Sequence, residues 1–232
     1  MSVIFECKDL VKAYGKTTAL KGISLQLESG RIVGLLGPNG SGKTTLIKLA
    51  NRLLQPTSGE LRIAGEKPGV KTKAAIAYLP DKDFLPDWMK TDALVHFYKD
   101  VFPDFDAQRA KEMLMSLSIP ANQILKKMSK GTREKVQLIL TMSRRAQVYL
   151  LDEPIAGVDP AARDYILRTI INNYEESALV LISTHLIADV ESVLDEAVFL
   201  KEGEIVLHRS TDEIREETGK SVDEYFREVF RC

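Results

Sequence analysis

A chain of 232 residues is long enough for one well-filled domain with at most a small satellite. Its apolar share of 44% and charged share of 28% are those of a globular protein. With 32 basic residues against 33 acidic ones, nothing argues for a general electrostatic grip on nucleic acid. No uninterrupted apolar run approaches the roughly 20 residues that cross a bilayer, and Met1 to Lys8 lack a signal-peptide core. The expectation is a protein that stays in the cytosol. Cys7 and Cys232 lie near opposite ends, which argues against a disulfide framework and leaves Cys7 as a plain strand residue.

The opening reads as short strands. Val3, Phe5 and Cys7 alternate with more polar positions, as do Ile23, Leu25 and Leu27, and Tyr14-Gly15-Lys16 reads as a turn. After Arg31 the chain is apolar to Leu36 and ends at Gly37, the pattern of a buried strand entering a glycine-rich loop. A helix is expected from Lys43 to Leu53, broken by Gln55-Pro56-Thr57-Ser58-Gly59. From about residue 85 to 145 strand signal is scarce. Lys90 to Val101 and Ala107 to Leu117 read as helices, the second with Ala110, Met113, Leu114 and Leu117 on one stripe. A further helix starts after Ser129-Lys130-Gly131 and runs through Leu140. This block reads as a helical insertion in an α/β core.

The core returns at Val148 to Leu151, a buried-strand run ending in Asp152-Glu153. Asp159-Pro160 suits a helix start. Leu179 to Ser183 reads as a buried strand, and Ala197 to Leu200 with Ile205 to Leu207 as a hairpin turning at Glu202-Gly203. In the tail, Val222, Tyr225, Phe226, Val229 and Phe230 share one helical face. It is expected to pack back on the body; a partner-binding stripe is the other reading.

The strongest local signal is Gly37-Pro38-Asn39-Gly40-Ser41-Gly42-Lys43-Thr44, followed by Thr45, which fits G-x-x-x-x-G-K-[ST] between a strand and a helix. Small residues let the backbone curl, so that the N–H groups of Asn39, Gly40, Ser41, Gly42, Lys43, Thr44 and Thr45 can point at phosphate. The helix start adds unsatisfied N–H groups and a positive dipole end. Lys43 carries a compact charge to the terminal phosphates, and the Thr44 hydroxyl can ligate magnesium. The second cluster is Asp152 and Glu153, at a strand end where α/β ligand sites usually lie. Asp152 is suited to hold the metal, and Glu153 to take a proton from a water or orient it. Alone, the pair could be an ordinary solvated strand end.

With these motifs in this order, the chain resembles the nucleotide-binding subunit of ATP-binding-cassette (ABC) transporters over roughly residues 3–207. Met128-Ser129-Lys130-Gly131-Thr132 resembles the family's signature loop, Ala156-Gly157-Val158-Asp159 its D-loop, and Thr184-His185 its switch histidine. Tyr14 stands where an aromatic residue stacks on adenine. The resemblance implies an α/β fold: a P-loop NTPase, ABC-type cassette with an N-terminal antiparallel β subdomain and an inserted α-helical subdomain. It implies an ATP-binding domain at 1–207 and a helical tail at 208–232. It also implies ATP and Mg2+ as ligands and a head-to-tail pair with a second ABC ATPase subunit, identical or homologous. There Ser129, Gly131 and Thr132 would reach the partner's terminal phosphate, His185 would contact its own, and Asp159 would connect the two sites. A separate transmembrane permease subunit would hold the pair at the cytoplasmic face of the membrane. Phe84, Leu85, Trp88 and Met89 offer apolar material for docking it.

Two departures stand out. The signature loop has Met128, Lys130 and Thr132 where leucine, glycine and glutamine are commonest. Tyr78-Leu79-Pro80-Asp81 ends in aspartate where the family usually has glutamine, so Asp81 is assigned a modified catalytic and metal-contacting role, with a structural one as the alternative. The expected function is Mg-dependent ATP hydrolysis powering transport, with export favoured over import. A soluble cassette ATPase not coupled to transport is opposed by the lack of long heptad arms or a cysteine cluster. A weakly hydrolysing regulatory cassette is opposed by Glu153.

Overall fold

The computed structural model describes residues 2–230, the side chains at 161 and 162 excepted; Cys232 therefore lies outside the described residues. β1 (Val3–Tyr14) and β2 (Thr17–Glu28) form an antiparallel hairpin longer than the short alternating runs suggested. The extra length hides a change of phase. Asp9 adopts φ 47°, and the register steps from Cys7↔Leu25 to Leu10↔Ile23. This bulge turns Leu10 inward beside Phe5 and Cys7, where strict alternation would have sent it outward. Burial pushes the Cys7 thiol up to about 12, which removes it from thiolate chemistry at neutral pH.

β3 (Ile32–Leu36) is buried at every residue and leads through the glycine-rich loop into α1 (Lys43–Ala50). The helix stops short of Leu53 because Arg52 takes a left-handed φ of 52° while the Asn51 N–H closes the last turn on Ile47. β4 (Ser58–Ile63), hidden in the sequence behind its proline- and glycine-rich flank, pairs with β1. The first sheet therefore has the order β2-β1-β4. α2 (Val70–Ala75) and β5 (Ile76–Leu79) follow.

Between β5 and β6 the long elements among the described residues are α3 (Thr91–Val101), α4 (Ala107–Ser116) and α5 (Lys130–Met142). They share a core that includes Leu85, Leu94, Ala110, Leu114, Leu125 and Ile139, with Met113 and Leu117 packed against it. Arg144 ties this unit to the rest of the chain. Its buried guanidinium pairs with Asp104 at 2.9 Å, donates to the carbonyls of Ala74 and Ile76, and stacks 4.1 Å from the Phe102 ring centroid.

The remaining elements are β6 (Val148–Asp152), α6 (Pro160–Asn173), β7 (Leu179–Thr184), α7 (Ile187–Val190), β8 (Glu196–Lys201), β9 (Glu204–Ser210), α8 (Thr211–Thr218) and α9 (Val222–Val229). The second sheet runs β5-β6-β7-β3-β8-β9, parallel except for β9. Its parallel strands are buried on both faces, which is why they read as continuous apolar runs rather than alternating ones. One face meets α1 and the first sheet; the other meets Leu138, Ile166, Ile170, Val190 and Ile214 from the following helices. The β8–β9 turn places Glu202 and Gly203 at φ 48° and 83°, the mirror-image turn that a tight hairpin favours. β9 continues to Ser210, so the strand crosses the 207/208 position where the helical tail was expected to begin. α9 packs its apolar face on Phe199, with Phe226 at 5.2 Å between ring centroids.

The Arg144 anchor carries the first prediction. Arg144→Ala leaves Asp104 and two carbonyls without their donor, and should lower unfolding free energy by about 3–5 kcal/mol. Urea denaturation followed by far-UV circular dichroism reads it; an unchanged midpoint would show that the anchor contributes nothing net.

Candidate nucleotide site

Order in the second sheet decides what meets at its edge. β6, β7 and β3 are neighbours and parallel, so the residues following each strand emerge side by side at the carboxyl end. From β3 comes the glycine-rich loop. Gly42 sits at φ 112°, and a Cβ there would fall 2.7 Å from the Ala19 carbonyl oxygen and 2.8 Å from Leu20 Cδ2. Only glycine accepts both that backbone and that approach of β2. α1 begins at the next residue with no side-chain cap and no acid in its first turn, so its leading N–H groups are free for an anion.

Lys43 is the first helical residue and only 5% exposed. Its ammonium donates to the carbonyls of Gly37 at 2.7 Å and Pro38 at 3.2 Å and lies 3.4 Å from Glu153 Oε1. Thr44 turns its hydroxyl to Asp152 Oδ1 at 3.1 Å. Ser41 Oγ is buried without a hydrogen-bond partner.

From β6 come the two acids. Asp152 is 1% exposed, and burial pushes its carboxyl up from the ordinary range. Hydrogen bonds from Ser183 and Thr44 pull the other way, and the charges of Asp81 and Glu153 add to the rise. Oδ2 of this carboxylate is buried and has no partner. Glu153 holds a left-handed φ of 52°, a costly conformation for a glutamate that clusters at functional sites. From β7 comes His185, whose Nδ1 is 3.0 Å from Glu153 Oε2. Lys43, Thr44, Asp152, Glu153 and His185 are thus one constellation.

The arrangement fits a polyphosphate with a hard cation. A bare carboxylate oxygen and a threonine hydroxyl are the oxygen donors that magnesium takes. Among the described residues no group of three or more His, Cys, Asp or Glu could hold a metal unaided. Phosphate oxygens and water would have to complete the shell, as is usual for magnesium.

Comparison with known proteins agrees. The family model described as "ABC transporter" matches residues 20–156, more than half of the chain. The chain is 31% identical to the ABC transporter ATP-binding protein YtrB of Bacillus subtilis over 92% of its own length and 74% of that protein's. It is 26% identical to the SkfA peptide export ATP-binding protein SkfE of the same organism, over 98% and 96% of the two chains. A solved structure of the ATP-binding subunit of an ABC transporter superposes with a TM-score of 0.88 at 26% identity, covering 98% of this chain and all of that one. The chain belongs to the ABC transporter family.

It is an ATP-binding cassette and an ATPase. Among the described residues Asp81 borders the central constellation without a hydrogen bond to it, and Tyr14, Ser129, Gly131, Thr132 and Asp159 stand outside its hydrogen-bond network. Asp81 follows β5 at the surface and lines a small cleft, about 120 Å³, with Lys130, Glu134 and Glu153. It reaches Asp152 through its charge, and no hydrogen bond of its side chain is found among the described residues. Tyr14 ends β1, is 47% exposed and has Lys12 Nζ 5.1 Å from its ring centroid. Ser129 caps α5: its Oγ accepts from the Thr132 N–H at 3.2 Å and meets Thr132 Oγ1 at 2.8 Å. Gly131 has nothing within 4 Å of where a Cβ would stand. Asp159 is exposed before α6, and its carbonyl accepts the Arg163 N–H.

Of the apolar residues expected to receive a partner, Leu85 is buried in the helical core and Met89 packs against it. Phe84 and Trp88 remain exposed, at 41% and 77%. One residue bonded to the constellation escaped the sequence reading. Ser183, fully buried, donates to Asp152 Oδ1 at 2.6 Å. Its signal was a hydroxyl inside an otherwise apolar buried strand, where a polar group must find a partner.

Gly42→Ala tests the cradle. The strain and the collision with Ala19 should cost on the order of 1–3 kcal/mol of stability and at least about tenfold in ATP affinity. Calorimetry reads both; native affinity in the variant would remove the close approach of β2 from the explanation.

Proposed function

We propose that two such cassettes, identical or homologous, close on ATP and magnesium, hydrolyse the ATP, and thereby drive a transmembrane permease on the cytoplasmic face of the membrane. The observation that carries the reading is the buried, unpartnered Oδ2 of Asp152, a carboxylate whose other oxygen accepts from Thr44, in a site where Lys43 pairs with the neighbouring Glu153. A carboxylate oxygen without hydrogen bonds is costly in a protein interior unless a ligand completes it.

In this reading Thr44 and Asp152 hold the metal. Bound there, magnesium would neutralise charge on the phosphates. Lys43 exchanges the Gly37 and Pro38 carbonyls for the terminal phosphate. That exchange takes the ammonium away from Glu153 Oε1. Glu153 accepts the proton of, or orients, the water that attacks the terminal phosphorus as the bond to the ADP oxygen breaks. His185, already on the Glu153 carboxylate, fixes that side chain and faces the same phosphate. Asp81 adds charge near the metal where an amide is usual. The Tyr14 face is the adenine platform.

Pairing is supported by the α5 N-terminus. Glycine inside a helix costs about 1 kcal/mol relative to alanine, and nothing in a single chain requires one at Gly131. Close approach of a second subunit's phosphate would. Ser129, the Gly131 backbone and Thr132 then meet the phosphate across the interface with the positive helix end behind them, and Asp159 lies between the two sites. Phe84 and Trp88 give the exposed apolar surface for the permease. No helix among the described residues is long and apolar enough to span a membrane itself. Export as the direction is favoured by full-length similarity to a peptide-export cassette.

With the permease present, Glu153→Gln should reduce ATP turnover by about a hundredfold or more while still binding ATP; turnover at the native rate would refute the assignment. Lys43→Ala should lose most ATP affinity with its fold intact, and unchanged affinity would sink the phosphate role. Gly131→Ala separates the pairing claim. A single chain should keep native ATP affinity and stability within about 1 kcal/mol, whereas permease-linked turnover falls. Unimpaired turnover would remove Gly131 from the interface.

A further inference from the structure

β7 is apolar until its last two residues, and the first of these, Ser183, serves two neighbours at once. Its Oγ donates to Asp152 Oδ1 at 2.6 Å and accepts the Glu153 backbone N–H at 3.2 Å. Its carbonyl oxygen takes the same N–H at 3.0 Å. One hydroxyl therefore joins the side chain of the first acid to the backbone of the second. Thr44 Oγ1 donates to the same Oδ1 at 3.1 Å. Oδ1 is filled by two hydroxyls while Oδ2 is left bare.

The two hydroxyls are not equivalent. Thr44 is itself a ligand in the reading above, so the place of its hydroxyl is set by the metal as well as by the carboxylate. Ser183 is fully buried one strand away and stays where it is. It is the partner of Oδ1 whose place does not depend on the metal, and it stops Asp152 from rotating and presenting the wrong oxygen. The same residue anchors the amide of Glu153, which stands in a left-handed conformation that needs outside support.

We propose that Ser183 is a positioning residue of this ATPase: its hydroxyl aims Asp152 Oδ2 at the metal and, through the Glu153 amide, fixes the carboxylate that handles the water. The inference rests on the nucleotide reading above. Partners behind a metal ligand typically govern metal affinity by about 10- to 100-fold, so the effect should appear in metal dependence before anything else.

The test is binding of a fluorescent ATP analogue to the full chain, with magnesium titrated in and with excess EDTA. In Ser183→Ala the magnesium concentration for half-maximal enhancement should rise about tenfold. The EDTA affinity, which reports the loop and Lys43, should stay within about twofold of native. Ser183→Cys, close in shape but a weak donor, should behave like alanine and serves if the alanine variant does not fold. An unchanged magnesium requirement in either folded variant overturns the proposal. So does an equal loss with and without magnesium, which marks Ser183 as a packing residue. Absence of saturable binding by the native chain is distinguishable from both, because it overturns the nucleotide reading itself and the inference with it.

Discussion

Lys43, Asp152 and Glu153 bring three ionisable groups to the end of one sheet and hold them nearly out of water. Burying such charges costs several kcal/mol each unless they are paired. Within the chain the pairing is partial. Lys43 borrows two carbonyls of its own loop and one oxygen of Glu153, Asp152 borrows two hydroxyls on one oxygen, and Oδ2 goes without. A polyphosphate with a cation supplies what is missing on both sides, an acceptor for the lysine and a positive charge for the carboxylate. The groups that are costly to bury unpaired are the ones that a bound polyphosphate and cation would satisfy.

The fold exists to hold that arrangement. The charged groups come from segments of the sequence far apart, and only the order β6-β7-β3 makes them adjacent. Parallel neighbours end at the same edge, so each strand presents its next residue to the same place. The antiparallel sheet contributes by pressure: Ala19 of β2 lies against Gly42 and leaves the loop no room for a side chain. The helical unit contributes a surface anchored to the sheet region through Arg144, with α5 pointing its N-terminus outward.

Much of this was legible in the sequence because it is local. A continuous apolar run that ends in glycines or in paired acids can be read as a buried strand feeding a loop, and β3 and β6 are found where those runs stand. The α5 start is likewise marked by its capping serine. What escaped depends on distant partners or on single backbone angles. The bulge at Asp9 is one left-handed residue, as is the early stop of α1 at Arg52. β4 has few apolar residues, and only its pairing with β1 makes it a strand. α8 has a capping box, Ser210 with Glu213, that was readable but overlooked. In the stretch from Phe84 to Met89 the sequence offers four apolar residues without saying which face inward. Packing of α3 to α5 decides that Leu85 and Met89 do. Ser183 was visible as a residue, yet its importance appears only when β7 lies beside β6.

The residues left outside the central constellation are informative for the opposite reason. In a single chain Ser129 and Thr132 spend their hydroxyls on each other and on the first turn of α5. A serine oxygen that accepts the Thr132 N–H still has its own proton to give, and Thr132 has another. Both can turn outward when a stronger acceptor arrives, without breaking the cap. Beside them Gly131 offers bare backbone with open space above it. Lys130, in place of the usual glycine, remains near Glu134 at 3.8 Å, a weak exposed pair that a phosphate can displace at little cost. Under the proposed pairing, this surface is poised to bind an anion only when a second subunit presents one. Closure of the pair would then be tied to nucleotide by chemistry that neither chain contains alone.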